Sequence, residues 1–164
     1  MESIGLQVSY HNCLRAYQQL RKEFFGDDSE QYSFLPSYIK ALEERGHIGS
    51  LCMTESGTFD KLGIIYREGI KAFHPYSFCG ISVDGTNTVG GILLIACFRN
   101  GNKEIQIIAC GVVSIENEEN WSWFLNLVVK NLKAPPAFII SDRDIGLVPA
   151  LAKVAPGIMH FYCF

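Results

Sequence analysis

Two aspartates, Asp84 and Asp142, are the residues whose type and setting could support chemistry. Asp84 closes the apolar run in "FCGISVDGT", which is typical of a β-strand, and Asp142 directly follows the wholly apolar run "AFIIS". Proteins hold Mg²⁺ through one or two carboxylates together with water and substrate phosphates. Two such ions support phosphoryl transfer, because one activates the attacking oxygen while the other stabilises the leaving oxygen.

Both aspartates also have an ordinary structural interpretation. Asp84 and Gly85 form a common turn dipeptide, and Asp142 is a suitable N-cap for a helix that follows it. Spacing alone favours these structural roles over a metal site. The elements that carry the two residues must therefore decide between the interpretations.

The pattern of residues 76–164 predicts the order β-β-β-α-β-α-β in one mixed sheet, an α/β fold class. The predicted strands are "FCGISVD", "GGILLIACF", "KEIQIIACGVV", "AFIIS" and "GIMHFYCF", with a hairpin turn at "RNGN" and helices over "ENEENWSWFLNLVVKNL" and around "GLVPALAKVA". Asn117 is the expected cap of the first helix. Because a crossover helix can return the fourth strand beside the first, Asp84 and Asp142 are expected to meet at one sheet edge.

Residues 1–75 are predicted to form a helical N-terminal region with a possible short strand. One helix covers "SYHNCLRAYQQLRKEFFGDD" and stops at Gly26, because its apolar residues recur at helical spacing. A second helix begins near Asp28 or Ser29 and ends at Gly46. "TFDKLGIIY" is the possible strand, and "REGIKAF" is a short helix. The domains expected are therefore residues 1–75 and a core of residues 76–164.

Composition limits the class of protein. The chain has 164 residues, of which 48% are hydrophobic and 19% charged, which is typical of a globular domain. Its net charge of −3 and lack of a basic block argue against a free-standing nucleic-acid binder, since Lys and Arg supply most of that affinity. No apolar window approaches the roughly 18 residues of a membrane span, and the N-terminus lacks a secretory signal. We expect a nuclear or cytoplasmic protein without membrane contact.

The six cysteines are dispersed and include no C-x-x-C pair. Most lie in apolar runs, so we expect reduced, structural thiols rather than disulfides or metal ligands. Cys163 and His160, which lie close to the C-terminus, are likewise expected to be structural residues of the last strand.

Five ordered segments together resemble the transposase domain of Mutator-like elements: "ISVDGT", "GGILLIACF", "NGN", "ACGVVSIENEENWSWFL" and "FIISDRDIGL". The upstream segments "SYHNCLRAYQQL" and "YSFLPSYIKALEERGHIGS" resemble the helical region that precedes this domain in plant-type members. The resemblance implies an RNase H-like fold and a DDE-type centre that uses Mg²⁺ or Mn²⁺, with Asp84 as its first acid and Asp142 as its second.

The sequence also departs from that family pattern. The third acid of the family, a Glu on a helix beyond the fifth strand, has no counterpart here, nor do the DNA-binding zinc finger and the zinc knuckle. Pro149 lies inside the helix expected after Asp142, so that helix is expected to start late, near Val148. Asp144 is the nearest substitute acid, whereas Glu116, Glu118 and Glu119 are expected at the other end of a crossing helix.

Two functions follow from these observations. One is a transposase-derived RNase H-like domain without stand-alone strand-transfer activity, which acts as a protein-interaction scaffold or is a fragment. The other is a metal-dependent DNA transposase or nuclease. The missing third acid favours the first. In that case DNA would be reached through regions outside this sequence, and a protein partner or a second copy would cover the exposed sheet edge.

Overall fold

The computed structural model describes residues 9–26, 32–76, 79–88 and 90–163. The chain forms two compact units, residues 1–37 and residues 38–164, whereas the sequence pattern placed a boundary after residue 75.

The first predicted helix is present as α1 (Tyr10–Phe25). It begins where the Ser9 side chain accepts the Asn12 N–H at 3.3 Å, and it ends at Gly26, whose φ of 77° lies in the region that favours glycine. The predicted start of the next helix at Asp28 or Ser29 lies outside the described residues.

The remaining elements follow the predicted order closely. They are α2 (Leu35–Glu44), β1 (Ile48–Met53), β2 (Phe59–Ile65), α3 (Arg67–Phe73) with a short 3-10 helix (His74–Tyr76), β3 (Ile81–Thr88), β4 (Gly91–Arg99), β5 (Ile105–Val113), α4 (Glu118–Asn131), β6 (Phe138–Ser141), α5 (Leu147–Val154) and β7 (Met159–Tyr162). The order β-β-β-α-β-α-β is confirmed from β3 to β7. Strand β1 was not predicted, and α5 begins at Leu147 with Pro149 in its first turn, where no N–H partner is required.

All seven strands form one sheet in the order β1-β2-β5-β4-β3-β6-β7. The pairs that involve β1, β2, β4 and β5 are antiparallel, while β6 runs parallel to both β3 and β7. This mixed sheet with its helices is the α/β, RNase H-like architecture that the sequence predicted. The predicted neighbourhood of the first and fourth core strands is present as the β3–β6 pair.

Helix α4 packs on one face of the sheet and supplies much of the core. Its predicted apolar stripe is completely buried at Trp121, Phe124, Leu125 and Val128. Gly111 of β5 makes this close approach possible, because a Cβ at that position would lie 2.9 Å from the Phe124 ring. Helix α4 can therefore pack closely against β5 at Gly111.

Two further expectations concern membrane-spanning helices and the state of the cysteines. No helix in the described ranges is long and apolar enough to cross a bilayer. Each of the six cysteines, all of which lie in described segments, is a free thiol.

Candidate functional site

Asp84 lies inside β3 and not in a turn. The strand continues to Thr88, Asp84 pairs with Ile95 of β4, and the ladder extends as far as the Thr88–Gly91 pair. The interpretation of Asp84 as a turn residue was therefore wrong, because the residues after it extend the ladder. The exposed carboxylate accepts the N–H of Gly85 through Oδ1 at 2.9 Å.

Asp142 is the first residue after β6, and its side chain is also exposed. Its Oδ1 accepts the N–H of Asp144 at 3.0 Å. Asp142 is not the cap of α5: the N-cap is Gly146, and Asp144 Oδ1 accepts the N–H groups of Gly146 at 2.8 Å and Leu147 at 3.0 Å. The Asp142 side chain therefore does not accept these two N–H groups at the start of α5.

The strand register brings Asp84 and Asp142 to the same level of the sheet. Ser82 of β3 pairs with Ile140 of β6 in the parallel ladder. Asp84 lies two residues beyond Ser82 in β3, and Asp142 lies two residues beyond Ile140, directly after the end of β6. Neighbouring strands are about 4.8 Å apart. The strands that carry or precede the two acids are therefore neighbours, and the meeting of the carboxylates at one edge stays a prediction.

Glu116 lies at this edge as well, although the sequence interpretation placed it at the other end of the fold. Strand β5 runs antiparallel to β4, so the segment after β5 returns to the level at which β3 ends. The Glu116 carboxylate accepts the Trp121 indole N–H through Oε1 at 3.1 Å. It also occupies the space over Gly85, where a Cβ would lie 2.5 Å from Oε1.

The four carboxylates of Asp84, Glu116, Asp142 and Asp144 together form what we call the acid rim. Burial raises the pKa of Glu116, as do the charges of the three aspartates, with Asp144 the strongest, while the Trp121 hydrogen bond opposes the shift. Among the described residues, no Lys or Arg forms an ion pair with any of these four carboxylates. The rim therefore concentrates negative charge, an arrangement that a cation would stabilise.

The other two acids of the α4 start belong to different contacts. Glu118 lies 3.7 Å from Lys153 of α5, and Glu119 lies 3.3 Å from Lys61 of β2. Neither is placed in the acid rim, as the sequence interpretation expected of them.

Lys61 organises a second polar group, the Lys61 cluster, which comprises Lys61, Asp60, Glu119 and Asn120. Lys61 is 8% exposed, and its Nζ donates to Asn120 Oδ1 at 3.0 Å and to Glu119 Oε1 at 3.3 Å, with Asp60 Oδ2 at 3.6 Å. Sequence reasoning missed this cluster. The signal available was a lone Lys within the apolar strand "FDKLGII".

His160 supports the chain around Asp142. Its Nε2 lies 2.8 Å from Ser141 Oγ, and the Ser141 hydroxyl donates to the Asp142 carbonyl at 2.8 Å. Since that hydroxyl proton is used, His160 is the donor to Ser141 Oγ, and burial lowers the pKa of the ring. Cys163 is exposed, and its N–H donates to the Ser141 carbonyl at 2.8 Å. The contacts of both residues fit the structural roles expected for them.

The donor set at the edge is limited. In the described part of the chain, no group of three or more His, Cys, Asp or Glu side chains is arranged to hold a metal ion. Further ligands to a cation at Asp84 or Asp142 would therefore come from water or from substrate phosphates, as Mg²⁺ commonly accepts.

The comparison with known families selects the same part of the chain. A family model described as "MULE transposase domain" matches residues 81–164, a range that begins with the first residue of β3 and includes the whole acid rim. No curated protein matches the sequence.

Proposed function

Because the chain belongs to the MULE transposase family, we propose that its acid rim serves phosphodiester chemistry on DNA, with Asp84 and Asp142 holding a divalent cation. The observation that carries this proposal is the parallel pairing of β3, which contains Asp84, with β6, which leads directly into Asp142.

Mg²⁺ or Mn²⁺ suits this donor set. Both aspartates offer hard carboxylate oxygens at an exposed edge, and Mg²⁺ typically keeps several waters while it binds one or two carboxylates and substrate phosphates. A bound divalent cation supplies charge neutralisation and Lewis-acid polarisation to a phosphate group.

The residues of the chain itself orient the site. One oxygen of each aspartate accepts a backbone N–H, from Gly85 for Asp84 and from Asp144 for Asp142, which restrains each carboxylate. Glu116 adds negative charge from the α4 side of the sheet and, through its bond from Trp121, ties this edge to the core. Pre-organised carboxylates of this kind lose little freedom when they bind a cation.

We expect limited activity from this chain alone. Two carboxylates support one cation better than the pair of cations that two-metal phosphoryl transfer requires. The proposed activity is therefore divalent-cation binding with weak DNA cleavage, without efficient strand transfer.

Isothermal titration with MgCl₂ and MnCl₂ tests the proposal. The variants are Asp84→Asn and Asp142→Asn, which keep side-chain shape but remove charge, and the matched control is Asp60→Asn in β2. We expect each rim variant to lose at least about tenfold in affinity, since it removes half of the protein ligands, and the control to match the wild type. Equal binding by all four proteins, or Mn²⁺-dependent DNA cleavage that survives both rim substitutions, would contradict the assignment.

A second candidate function, an interaction scaffold, has support at the other border of the sheet. β7 is an edge strand with no described strand on its outer side, and Met159 and Phe161 on it are 61% and 49% exposed. Edge strands with apolar side chains pair readily with other chains. We propose that a second copy of this chain covers β7. Light scattering should then show a dimer that Met159→Lys disrupts, and a clean monomer at high concentration would exclude this interface.

A further inference from the structure

Four apolar side chains share one face of the last two strands. Phe138 and Ile140 of β6 pair with Met159 and Phe161 of β7, so the four lie on the same side of the sheet and form what we call the β6–β7 patch. Met159 is 61% exposed and Phe161 is 49% exposed, while the two β6 side chains are half-buried. A contiguous exposed apolar surface indicates a binding site, which scattered single residues do not.

The opposite face of the same two strands is covered by α5. Ile139 and His160, which alternate with the patch residues along β6 and β7, line a cavity together with Leu151 of α5. Ile139 is accordingly buried. The β6–β7 patch is therefore the face of these strands that α5 leaves open.

A ring contact orders the patch. The Phe138 and Phe161 rings meet edge to face at a centroid distance of 5.5 Å and an interplanar angle of 84°. A Cβ on Gly80 would collide with the Phe138 ring, so the glycine that precedes β3 permits this ring to approach the backbone closely. Phe138 is thereby held in place, and it supports the half-exposed Phe161 ring.

Asp84 lies on the same face of the sheet as the patch. Ser82 of β3 pairs with Ile140 of β6, which in turn pairs with Phe161. Asp84 follows Ser82 by two residues, and side chains alternate with a period of two. Two strand spacings of about 4.8 Å and two residue rises of about 3.4 Å place Asp84 and Phe161 roughly 12 Å apart.

The chemistry of the patch determines which part of DNA it can bind. A phosphate finds no donor among four apolar side chains, whereas the uncharged face of a nucleobase stacks on an aromatic ring. The net charge of −3, which opposes the approach of phosphates, does not oppose such a contact. The separation of roughly 12 Å from Asp84 corresponds to about three or four nucleotides at roughly 3.4 Å each.

We propose that Phe161 stacks on an unpaired base of a DNA strand bound at Asp84, and that Phe138 is the positioning residue for the Phe161 ring. The identity of the ligand as DNA rests on the proposed function above. Because a base inside a duplex is already stacked on its neighbours, this subsite selects single-stranded or locally opened DNA. The second copy proposed above to cover β7 would compete for the same ring.

DNA binding by the full chain tests the subsite. Fluorescence anisotropy in MgCl₂ would compare a labelled single-stranded oligonucleotide with an abasic strand of the same length, which keeps every phosphate but lacks the bases. We expect the wild type to bind the strand with bases roughly tenfold more tightly, as one base–aromatic stack predicts. Phe161→Ala should remove this preference, and Phe161→Trp, which keeps an aromatic face, should retain it.

Tyr162→Ala is the matched control. Tyr162 is the next residue of β7 and is 42% exposed, but it lies on the face of the sheet opposite Asp84. Its substitution should leave the preference for bases unchanged. Phe138→Leu keeps an apolar side chain without the ring contact and should reduce the preference roughly threefold. Circular dichroism would verify that each variant is folded.

The outcomes distinguish this inference from the proposed function. A preference for bases that requires Phe161, together with equal Mg²⁺ binding by the wild type and Asp84→Asn, would support the subsite and contradict the proposed chemistry. Mg²⁺ binding that requires Asp84, together with a wild type that binds both strands equally or neither of them, would overturn the subsite alone.

Two further results would also overturn the subsite. One is an equal loss of the preference in Phe161→Ala and Tyr162→Ala, which would contradict the assignment to one face. The other is a change from dimer to monomer in Phe161→Ala, measured by light scattering, without any change in the preference for bases. That result would assign the Phe161 ring to a second copy of the chain.

Discussion

The acid rim and the Lys61 cluster are both groups of charged residues beside the start of α4, yet they are built in opposite ways. In the Lys61 cluster a buried cation is surrounded by oxygen acceptors from Asp60, Glu119 and Asn120. In the rim, the charges of three aspartates act on the Glu116 carboxylate, and no described Lys or Arg forms an ion pair with any of the four acids.

This difference separates a structural group from a candidate functional one. A buried charge is tolerated when its partners satisfy it, and its loss then costs stability. Clustered like charges reduce stability and mark a candidate functional site, which agrees with the cation binding proposed above. Substitutions in the two groups should consequently have contrasting effects on the free energy of unfolding.

The largest effect on stability should come from Lys61→Met. Met fills most of the space of the Lys stem, but it leaves the buried Asn120 Oδ1 without its Nζ donor. We expect a loss of about 2 kcal/mol in the free energy of unfolding, measured in urea. Lys153→Met is the control, because Lys153 forms only an exposed pair with Glu118 and should change stability by less than about 0.5 kcal/mol. Equal losses of unfolding free energy for the two variants would contradict a structural role of Lys61 that Lys153 lacks.

The next largest effect should come from Gly85→Ala in the rim. The added Cβ would lie 2.5 Å from Glu116 Oε1, so the carboxylate must move and weaken its bond from Trp121. We expect a loss of about 1.5 kcal/mol, the size of one hydrogen bond to a charged group. Gly157→Ala, at a position with open space around its Cβ, is the control and should be nearly neutral. Equal stability of the two variants would contradict a close contact between the Glu116 carboxylate and Gly85.

Asn117→Ala tests the helix start that both groups share. The Asn117 side chain accepts the Asn120 N–H at 2.9 Å and caps α4 as predicted. Its removal should cost about 1 kcal/mol, and Asn117→Ser, which keeps a capping oxygen, should recover most of that loss. Thermal unfolding followed by circular dichroism provides the measurement, and no recovery by Ser would argue against a capping role.

The smallest effect concerns pH. Because the pKa of Glu116 is raised in the folded protein above the ordinary 4.5, the folded state holds a proton that the unfolded chain releases. The contribution of Glu116 to stability should therefore be fully present below that ordinary value and should be lost as pH rises through the raised pKa. Glu116→Gln keeps the acceptor for Trp121 and should remove this slope. Parallel curves of unfolding free energy against pH for the two proteins would exclude the effect.

The sequence allowed most of the core to be predicted because its local signals agree. The apolar run of β4, the turn residues after Arg99 and the cap with apolar stripe of α4 each indicate one structure, and that structure formed. The neighbourhood of Asp84 and Asp142 followed from a single topological rule, the return of a crossover strand beside the first.

The features that sequence reasoning missed depend on tertiary contacts. Strand β1 contains Gly49 and Ser50, which have weak strand propensity, and it forms because β2 offers an edge to pair with. The place of Glu116 depends on where β5 ends relative to β3, and the turn at Asp84 was displaced by the longer β3–β4 ladder. Propensity at single residues contains none of this information.

The parallel contact that aligns the two aspartates is short. In the described chain, β6 joins β3 through Ile81–Ile139 and Ser82–Ile140, whereas the β3–β4 ladder extends from Ser82 to Thr88. Local opening of β6 would thus separate the acids while the antiparallel meander stays intact. A cation that bridges the acids would resist such opening, and amide hydrogen exchange at Ile139 and Ile140 should slow when it binds. Because the ladder is short, amide exchange at Ile139 and Ile140 should respond strongly to cation binding.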